Sequence, residues 1–306
     1  MSVPTVFTHV SVTGDMSVGG TMALPNLLSQ RAVWYVDSGA TGSANGKTWK
    51  DAVTTIDAAI NLASDGDLIL VAPSHAEDLG SAGAINLDVA GVMVVGLGSG
   101  RTRPMLTVTN TAGSLRMTAA RTSITNLQFV GGIDASTGCI RVEASDCSIV
   151  NCGYRDSTGE ATDVIVTTAA ADRLLIDQFV AIMSSSAGPN SAIALVGADD
   201  CEVRNFYLVG NFAVSAIDLR TTASPRVWIH DGMIWTQNSA DLCIKDTVTG
   251  STGTIGPNIG CRLQDNAANI TEAVTGATFH MIDPVYVVNA VNEKAMLINW
   301  IASTDA

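Results

Sequence analysis

The chain has 306 residues and a formal net charge of −13, with 29 acidic and 16 basic side chains. This negative charge disfavours close contact with nucleic acid or with an anionic membrane surface. No stretch of about 18 apolar residues occurs, which argues against a transmembrane helix.

The sequence also argues against export and against a metal site. The first basic residue is Arg31, so the N-terminus lacks the basic region of a secretory signal, and we expect a soluble protein made in the cytoplasm. The four histidines are widely spaced, and we expect neither a metal nor another cofactor. Six cysteines without a CxxC pair favour reduced thiols that fill an apolar interior: Cys139, Cys147, Cys152, Cys201, Cys243 and Cys261.

Residues 1–32 do not share the pattern of the rest of the chain. Apolar side chains alternate around Val6, Val10 and Val12, and glycines such as Gly14 interrupt the alternation. Because the segment has no run of charges, we predict a short N-terminal β arm that docks on a partner or contributes to oligomerisation.

A strand and a helix are predicted next. Residues 34–36 indicate a strand, and the apolar residues from Trp49 to Ala63 have the i, i+3, i+4, i+7 spacing of an amphipathic helix. Thr48 is a suitable N-cap and Gly66 a suitable terminator, which places the helix at 48–64. An uncovered first coil of a β stack would expose apolar side chains and a free edge, so we expect this helix to cap that end.

The middle of the chain repeats with a period of about two dozen residues. Short polar residues recur at intervals of 25, 26, 28 and 26, and an aliphatic residue precedes each of them by two places. We call them the ladder residues: Asn126, Asn151, Asp177, Asn205 and Asp231. A repeat of this length is typical of a solenoid, whose coils bury their apolar side chains by stacking on one another.

Each repeat contains more than one short strand. Strands are predicted at 68–71, 85–87, 92–95 and 106–108, and a further apolar strand precedes every ladder residue. These features predict an all-β chain folded as a single-stranded parallel β-helix over residues 33–283, with ladder amides hydrogen-bonded along one corner. Residues 284–306 fall outside the repeat, and we expect them to cap the last coil or join a partner.

Catalytic residues are hard to single out. Cleavage of a polysaccharide would need two carboxylates about 5–10 Å apart, or an acid cluster with a basic residue. The candidate acids are Glu143, Asp156, Glu160, Asp163, Asp172, Asp199, Asp200 and Asp218. Arg116 and Arg141 are expected to form surface ion pairs with Glu143. We therefore predict no catalytic residues and no enzyme, with a polysaccharide lyase or glycosidase as the alternative.

Aromatic residues of the late repeats indicate a contact surface. His230 and Asp231 are adjacent, but neighbouring residues of a strand point to opposite faces, which argues against a catalytic pair. By the same alternation Trp228 faces outward, near Trp235, Phe206 and Tyr207. Large outward apolar residues usually mark subunit interfaces, and the alternative for Trp228 is stacking on a saccharide. The candidate interface comprises Val6, Val10, Val12, Trp228, Trp235 and Trp300.

Several segments carry a family resemblance. The chain resembles right-handed parallel β-helix proteins of the pectate-lyase-like kind, and among them the β-helix virion proteins of tailed bacteriophages, at 34–37, 46–49, 55–60, 66–73, 75–77, 88–92, 96–98 and 103–104. The resemblance extends over about 34–283 and implies a right-handed β-helix of phage origin. It does not fix the function, because this architecture serves enzymes, tailspikes and capsid proteins.

Two functions follow as expectations. The first is a head-decoration or cement protein that binds the outside of the capsid as a homotrimer, with the major capsid protein as its partner. The second is a tailspike or tail fibre module that binds or cleaves host surface polysaccharide. A cell-encoded pectate-lyase-like enzyme is a third reading, disfavoured by the absence of a signal peptide pattern and of an acid/base constellation.

Overall fold

The computed structural model describes residues 32–157, 159–183, 189–237, 242–246, 248, 250–263, 274–275, 279–281, 285–289 and 295–297. The predicted N-terminal arm, with Val6, Val10 and Val12, and also Trp300 lie outside these ranges. Within them no helix is long and apolar enough to cross a lipid bilayer.

Short strands make up nearly all of the regular structure in the described ranges. The first half of the chain contains β1 (Val33–Val36), α1 (Ile56–Ile60), β2 (Leu68–Val71), β3 (Ala76–Leu79), β4 (Ile85–Leu87), β5 (Met93–Gly96), a 3-10 turn (Gly100–Thr102), β6 (Met105–Val108), β7 (Leu115–Met117), β8 (Ser123–Thr125), β9 (Gln128–Gly131), β10 (Ser136–Val142), β11 (Ser148–Val150) and β12 (Gly153–Asp156). The second half contains β13 (Ala161–Thr167), β14 (Leu175–Asp177), β15 (Val180–Ile182), β16 (Ser191–Leu195), β17 (Glu202–Arg204), β18 (Tyr207–Gly210), β19 (Ser215–Leu219), β20 (Val227–His230), β21 (Gly232–Thr236), β22 (Leu242–Asp246), β23 (Gly253–Ile255), β24 (Ile259–Leu263), β25 (Val274–Thr275), β26 (Phe279–Met281), β27 (Val285–Asn289) and β28 (Ala295–Leu297).

From β2 onward, consecutive strands go to three different sheets, and each coil adds one strand to every sheet. Sheet 1 has the order β1-β2-β5-β8-β11-β14-β17-β20-β23-β26, sheet 2 has β3-β6-β9-β12-β15-β18-β21-β24-β27-β28, and sheet 3 has β4-β7-β10-β13-β16-β19-β22-β25. Pairing is parallel throughout the described strands, for example between β11 and β14, except where β28 runs antiparallel to β27. The predicted all-β parallel solenoid is confirmed.

The core is a set of apolar columns that run along the stack. In sheet 1, from β2 to β23, one aliphatic residue of each strand lies in register with that of the next, and every member of the column is fully buried: Ile69, Val94, Ile124, Ile149, Ile176, Val203, Ile229 and Ile255. Each coil supplies one member, so the period of the sequence is the length of one coil.

The six cysteines are buried as well. Burial raises the pKa of the Cys152 thiol to about 11 and the pKa values of Cys139 and Cys201 to about 12. These three side chains therefore remain protonated at neutral pH and pack as small apolar groups.

The helix before β2 is shorter than the sequence indicates. The predicted helix 48–64 is wrong in its bounds, since α1 spans Ile56–Ile60 and its N-cap is Thr55, whose hydroxyl accepts a hydrogen bond from the Ala58 amide. Upstream, Asp51 accepts hydrogen bonds from the hydroxyl groups of Ser43 and Thr48, and these local bonds compete with helix formation. The helix packs against β4, the terminal strand of sheet 3, and buries Ile56, Ala59 and Ile60.

The corner between sheets 1 and 2 is built from a residue in the left-handed region. Asn126, Asn151, Asn205 and Asp231 each have φ between 49° and 59°. Asn and Asp tolerate this region better than other non-glycine residues, because their short polar side chains bond the local backbone. The residue that follows each asparagine points into the core, as Leu127, Cys152 and Phe206 do.

The assignment of Asp177 to the ladder is wrong. In that coil the left-handed corner residue is Gln178, with φ of 56°, and Asp177 is the last residue of β14. Ile176, rather than Leu175, aligns with Ile149 in the core column. The sequence misleads here because an acid directly precedes the true corner residue, which shifts the apparent repeat by one position.

Asn126 has the most hydrogen bonds of the ladder residues. Its Nδ2 donates to the carbonyl oxygens of Gly96 at 2.7 Å and Gly98 at 3.0 Å, and its Oδ1 accepts from Arg103 Nε at 2.9 Å. Asn151 Nδ2 also donates to Asn126 Oδ1 over 3.3 Å. This amide therefore ties two coils and a neighbouring loop together.

We expect Asn126→Ala to lower the free energy of unfolding by about 2–3 kcal/mol, since it removes these bonds and leaves a β-carbon at positive φ. Asn126→Gly removes the same bonds but relieves the backbone strain, so its loss should be smaller by about 1 kcal/mol. Urea denaturation of both variants tests the difference. Equal losses would show that the left-handed corner does not govern the choice of residue.

A second corner, two residues before the aligned positions of sheet 1, also has positive φ in each coil from Gly66 to Arg226. Its residues are Gly66, Gly91, Arg121, Asp146, Arg173, Asp200 and Arg226. From Arg121 the charges alternate along the stack, and Arg173 and Arg226 donate bidentate hydrogen bonds to the carboxylates of Asp146 and Asp200. The bonds from Arg173 lower the pKa of Asp146 to about 2.

The repeat continues beyond residue 283. Strand β27 (Val285–Asn289), which falls in the segment 284–306 that we expected to lie outside the repeat, pairs in parallel with β24 in sheet 2. The change of pattern comes one strand later, where β28 reverses direction.

Candidate functional site

The outer face of sheet 2 carries an apolar surface over three consecutive coils. Strand residues two apart share a face, and three strands each have two apolar residues on this face, of which Val209 is covered by its neighbours and only 6% exposed. We call this surface the sheet 2 strip, and it consists of Val180 and Ile182 on β15, Tyr207 and Val209 on β18, and Met233 and Trp235 on β21. The strands are in register, so the six residues form two parallel rows.

Much of the strip is open to solvent. Ile182 is 52% exposed, and Val180, Tyr207 and Met233 are each close to 40% exposed. These four residues are the majority of the seven large apolar side chains that are exposed among the described residues, so the exposure is concentrated on one surface. A contiguous apolar surface of this kind on a soluble protein usually marks a contact with another molecule.

Arginines flank the strip at both ends. Arg155 on β12 pairs with Ile182 in the register, and Arg262 on β24 pairs with Trp235. The guanidinium of Arg262 lies 4.2 Å from the centroid of the Trp235 ring, a cation–π contact that keeps Trp235 half-buried. The apolar rows are therefore limited to three coils and have positively charged borders.

The sequence did not identify the strip as a unit. Of its residues only Tyr207 and Trp235 were recognised as aromatic candidates, while the paired apolar residues recur two apart at 180, 207 and 233. Trp228 is exposed, as expected, but it lies on sheet 1 and stacks on His230 with 3.9 Å between ring centroids. Phe206 is not a surface aromatic, because it follows the corner residue and points into the core.

The expectation that His230 and Asp231 point apart is wrong. Asp231 lies in the left-handed corner instead of the strand, and the turn brings its Oδ2 to 2.6 Å from His230 Nδ1. His230 Nε2 lies 3.1 Å from Glu202 Oε1. Hydrogen bonds from Asn258 and His230 hold the pKa of Asp231 below its usual value. The ring is thus held between two carboxylates under the indole of Trp228.

This cluster continues along sheet 1. Arg204 donates to Glu202 Oε1 at 2.8 Å and to Asp177 Oδ2 at 3.0 Å, and Asn205 Nδ2 donates to Asp177 Oδ1 at 2.8 Å. Partial burial opposes ionisation of Asp177, but the bonds from Asn205 and Arg204 hold its pKa below its usual value. Arg204 bonds the carboxylates of both Glu202 and Asp177, which lie on successive coils. These shared hydrogen bonds stabilise the outer face of sheet 1.

Most of the candidate catalytic acids have structural partners. Glu143 accepts hydrogen bonds from Arg116 and Arg141, which keep its pKa low although partial burial acts in the opposite direction. Four of the other acids interact with arginines: Asp163 and Asp218 with Arg220, and Asp199 and Asp200 with Arg226. Asp163 also accepts a hydrogen bond from Ser191, Asp156 accepts one from Tyr154, and Asp172 accepts one from the backbone amide of Asp199. Glu160 lines a surface cavity of about 520 Å³ with Asp134 and Asp156.

Sheet 3 carries a cluster of buried charges. Asp163 is 5% and Asp218 1% exposed, and Arg220 bonds to both, at 2.6 Å and 3.3 Å. Ser191 donates a further hydrogen bond of 2.6 Å to Asp163. Burial raises the pKa of Asp218 against the influence of Arg220, and its Oδ1 has no hydrogen-bond partner among the described residues. Arg220 bonds both carboxylates, and Lys245, which pairs with Asp218 in the register of sheet 3, adds a second positive charge nearby.

Within the described part of the chain, no group of three or more His, Cys, Asp or Glu side chains is arranged to hold a metal ion. Comparison with protein-family models, with curated proteins and with solved structures gives no match to this chain. The sheet 2 strip and the charged clusters of sheets 1 and 3 are therefore the features that bear on function.

Proposed function

We propose that this chain is a structural protein of a tailed-phage virion, a right-handed β-helical rod that binds the outer surface of the capsid as a homotrimer and stabilises it. The sheet 2 strip is the observation that carries the proposal. An exposed apolar surface that spans three stacked coils is suited to association of rods side by side, which removes that surface from water.

A second copy of the same chain is the partner that we assign to the strip. Each copy contributes an identical rod with the same register, so three copies arranged about a threefold axis can bury the same apolar rows together. The arginines at both ends of the strip limit the overlap of neighbouring copies, because displaced copies would bury a charge. The phage assignment and the capsid as the second partner come from the resemblance in the sequence.

The engagement of most candidate acids with arginines, hydroxyl groups or backbone amides supports a mechanical role. A carboxylate that is held ionised by a guanidinium is a poor general acid. In the proposed mechanism the trimer contacts adjacent capsid subunits, and its binding free energy stabilises the expanded shell against disruption.

Binding to expanded capsids tests the proposal. Expanded capsids assembled from the major capsid protein of the proposed virion are incubated with the purified protein, sedimented and heated. We expect saturable binding and a higher temperature of capsid disruption than for capsids alone. Absence of binding, together with retention on host capsule or lipopolysaccharide, would favour the tail fibre alternative and overturn the decoration role.

A further inference from the structure

A cavity of about 500 Å³ lies on the outer side of the rod, next to the sheet 2 strip. Three arginines from two parts of the chain line it: Arg101 and Arg103, in and directly after the 3-10 turn, and Arg155 on β12. Ser74, Gln128 and Met105 also line the cavity. The volume is within the range of about 300–1,000 Å³ that is usual for small-molecule sites.

These arginines lack the carboxylate partners that other arginines of the rod have. Arg155 donates to the Sδ of Met105 at 3.7 Å and also borders a second cavity that Asp134, Asp156 and Glu160 line. Among the described residues, neither Arg101 nor Arg155 forms a hydrogen bond or ion pair with a carboxylate. By contrast, six other arginines each have a carboxylate within 3.5 Å: Arg116, Arg141, Arg173, Arg204, Arg220 and Arg226. In a chain with a net charge of −13, these three guanidinium groups line one cavity and none of them forms an ion pair with a carboxylate of the described residues.

The cavity is also organised in advance. Arg103 donates from Nε and Nη2 to the Oδ1 atoms of Asn126 and Asn151, both at 2.9 Å, so the amide ladder fixes its guanidinium. Both acceptors are neutral amides, and the positive charge of Arg103 therefore remains uncompensated. A fixed guanidinium loses little conformational entropy when it binds an oxyanion.

We propose that this cavity binds a ligand with two or more oxyanion groups, either phosphates or carboxylates. Guanidinium groups form bidentate, charge-assisted hydrogen bonds with both kinds of group. The cavity has three arginines and is larger than a single phosphate would need. Both features favour a ligand with several anionic groups. Ser74 and Gln128 supply neutral hydrogen-bonding groups for its uncharged part. The proposal does not depend on the assembly role.

Calorimetric titration at constant ionic strength tests the site, with pyrophosphate and citrate as probes and inorganic phosphate as the monovalent-group comparison. We expect pyrophosphate or citrate to bind with one site per chain, more tightly than phosphate, and with an affinity that falls as salt is added. Binding of only one of the two identifies the anionic group of the ligand. Binding of neither overturns the proposal.

Variants locate the site. Arg101→Gln and Arg155→Gln should each weaken binding about tenfold or more, the loss expected for one charge-assisted hydrogen bond. Arg101 lies outside both the ladder and the sheet 2 strip, so the unliganded Arg101→Gln variant should keep the circular dichroism spectrum and melting temperature of the parent. Arg155 borders the strip, and the unliganded Arg155→Gln variant should keep the circular dichroism spectrum of the parent. Arg121→Gln removes the same charge from a different corner and should leave binding unchanged. Equal weakening in all three variants would show a general charge effect and overturn the assignment.

Discussion

Arg220→Met is expected to lower the free energy of unfolding by about 3–5 kcal/mol, the usual loss when one partner of a buried ion pair is removed. Asp163 and Asp218 would then remain buried with no guanidinium to compensate them. Methionine retains most of the apolar contact of the arginine side chain, so the loss reports charge rather than packing.

The loss should depend on pH. Burial raises the pKa of Asp218, so this group contributes stability that is fully present below its unfolded pKa and is lost as the pH rises through its folded pKa. Without Arg220 the folded pKa rises further. The difference between the variant and the parent should therefore shrink as the pH falls toward the ordinary pKa of an aspartate, about 4.

Urea denaturation at neutral and acidic pH measures both effects. Arg226→Met is the matched control, because Arg226 also bonds two aspartates, Asp199 and Asp200, but its side chain is 60% exposed. We expect this control to cost less than about 1 kcal/mol, as exposed ion pairs do. Equal losses in the two variants, or a loss for Arg220→Met that does not change with pH, would contradict the account of the buried cluster.

Tyr207→Asp is expected to dissociate the proposed trimer. Tyr207 lies on the central strand of the sheet 2 strip, and a carboxylate there would be buried without a partner at the subunit contact. Loss of a central interface residue typically costs about 2–4 kcal/mol, which weakens association by roughly 30- to 1,000-fold. Sedimentation equilibrium should show the parent at three times the 31.6 kDa chain mass and the variant at one.

Leu62→Asp is the control for a general effect of charge. Leu62 is 42% exposed, about as much as Tyr207 at 38%, but it lies just after α1 and is not part of the sheet 2 strip. It should leave the trimer intact. A parent protein that sediments as a monomer at every concentration, or a Tyr207→Asp variant that remains a trimer, would remove the support for assembly through the strip.

Most of the architecture was predictable because a solenoid repeats its local chemistry. Strands at 68–71 and 85–87 were predicted with the bounds that β2 and β4 have, and the aliphatic residues of sheet 1 recur because each coil must supply one member of a continuous column. The incorrect predictions concern single positions. Asp177 resembled a corner residue by type, and Thr48 resembled an N-cap, but the register and competing hydrogen bonds decide both positions.

The surfaces were harder to predict, because they combine residues that lie a full coil apart. His230 was expected to point away from Asp231, yet the corner turns the carboxylate toward the ring. Arg103 reaches Asn151 across 48 positions of sequence, and Arg220 reaches Asp163 across 57. Such contacts depend on the number of residues in each intervening turn, which a single sequence does not specify.

The sequence by itself determined the fold class, the length of a coil and the residues that fill the interior, since periodic burial leaves a periodic pattern. Only the tertiary structure decided which outward residues share a surface, because their side chains face solvent and need not repeat in a recognisable way. The sheet 2 strip and the arginine cavity both arise from that stacking, through parallel strands that bring distant residues of successive coils side by side.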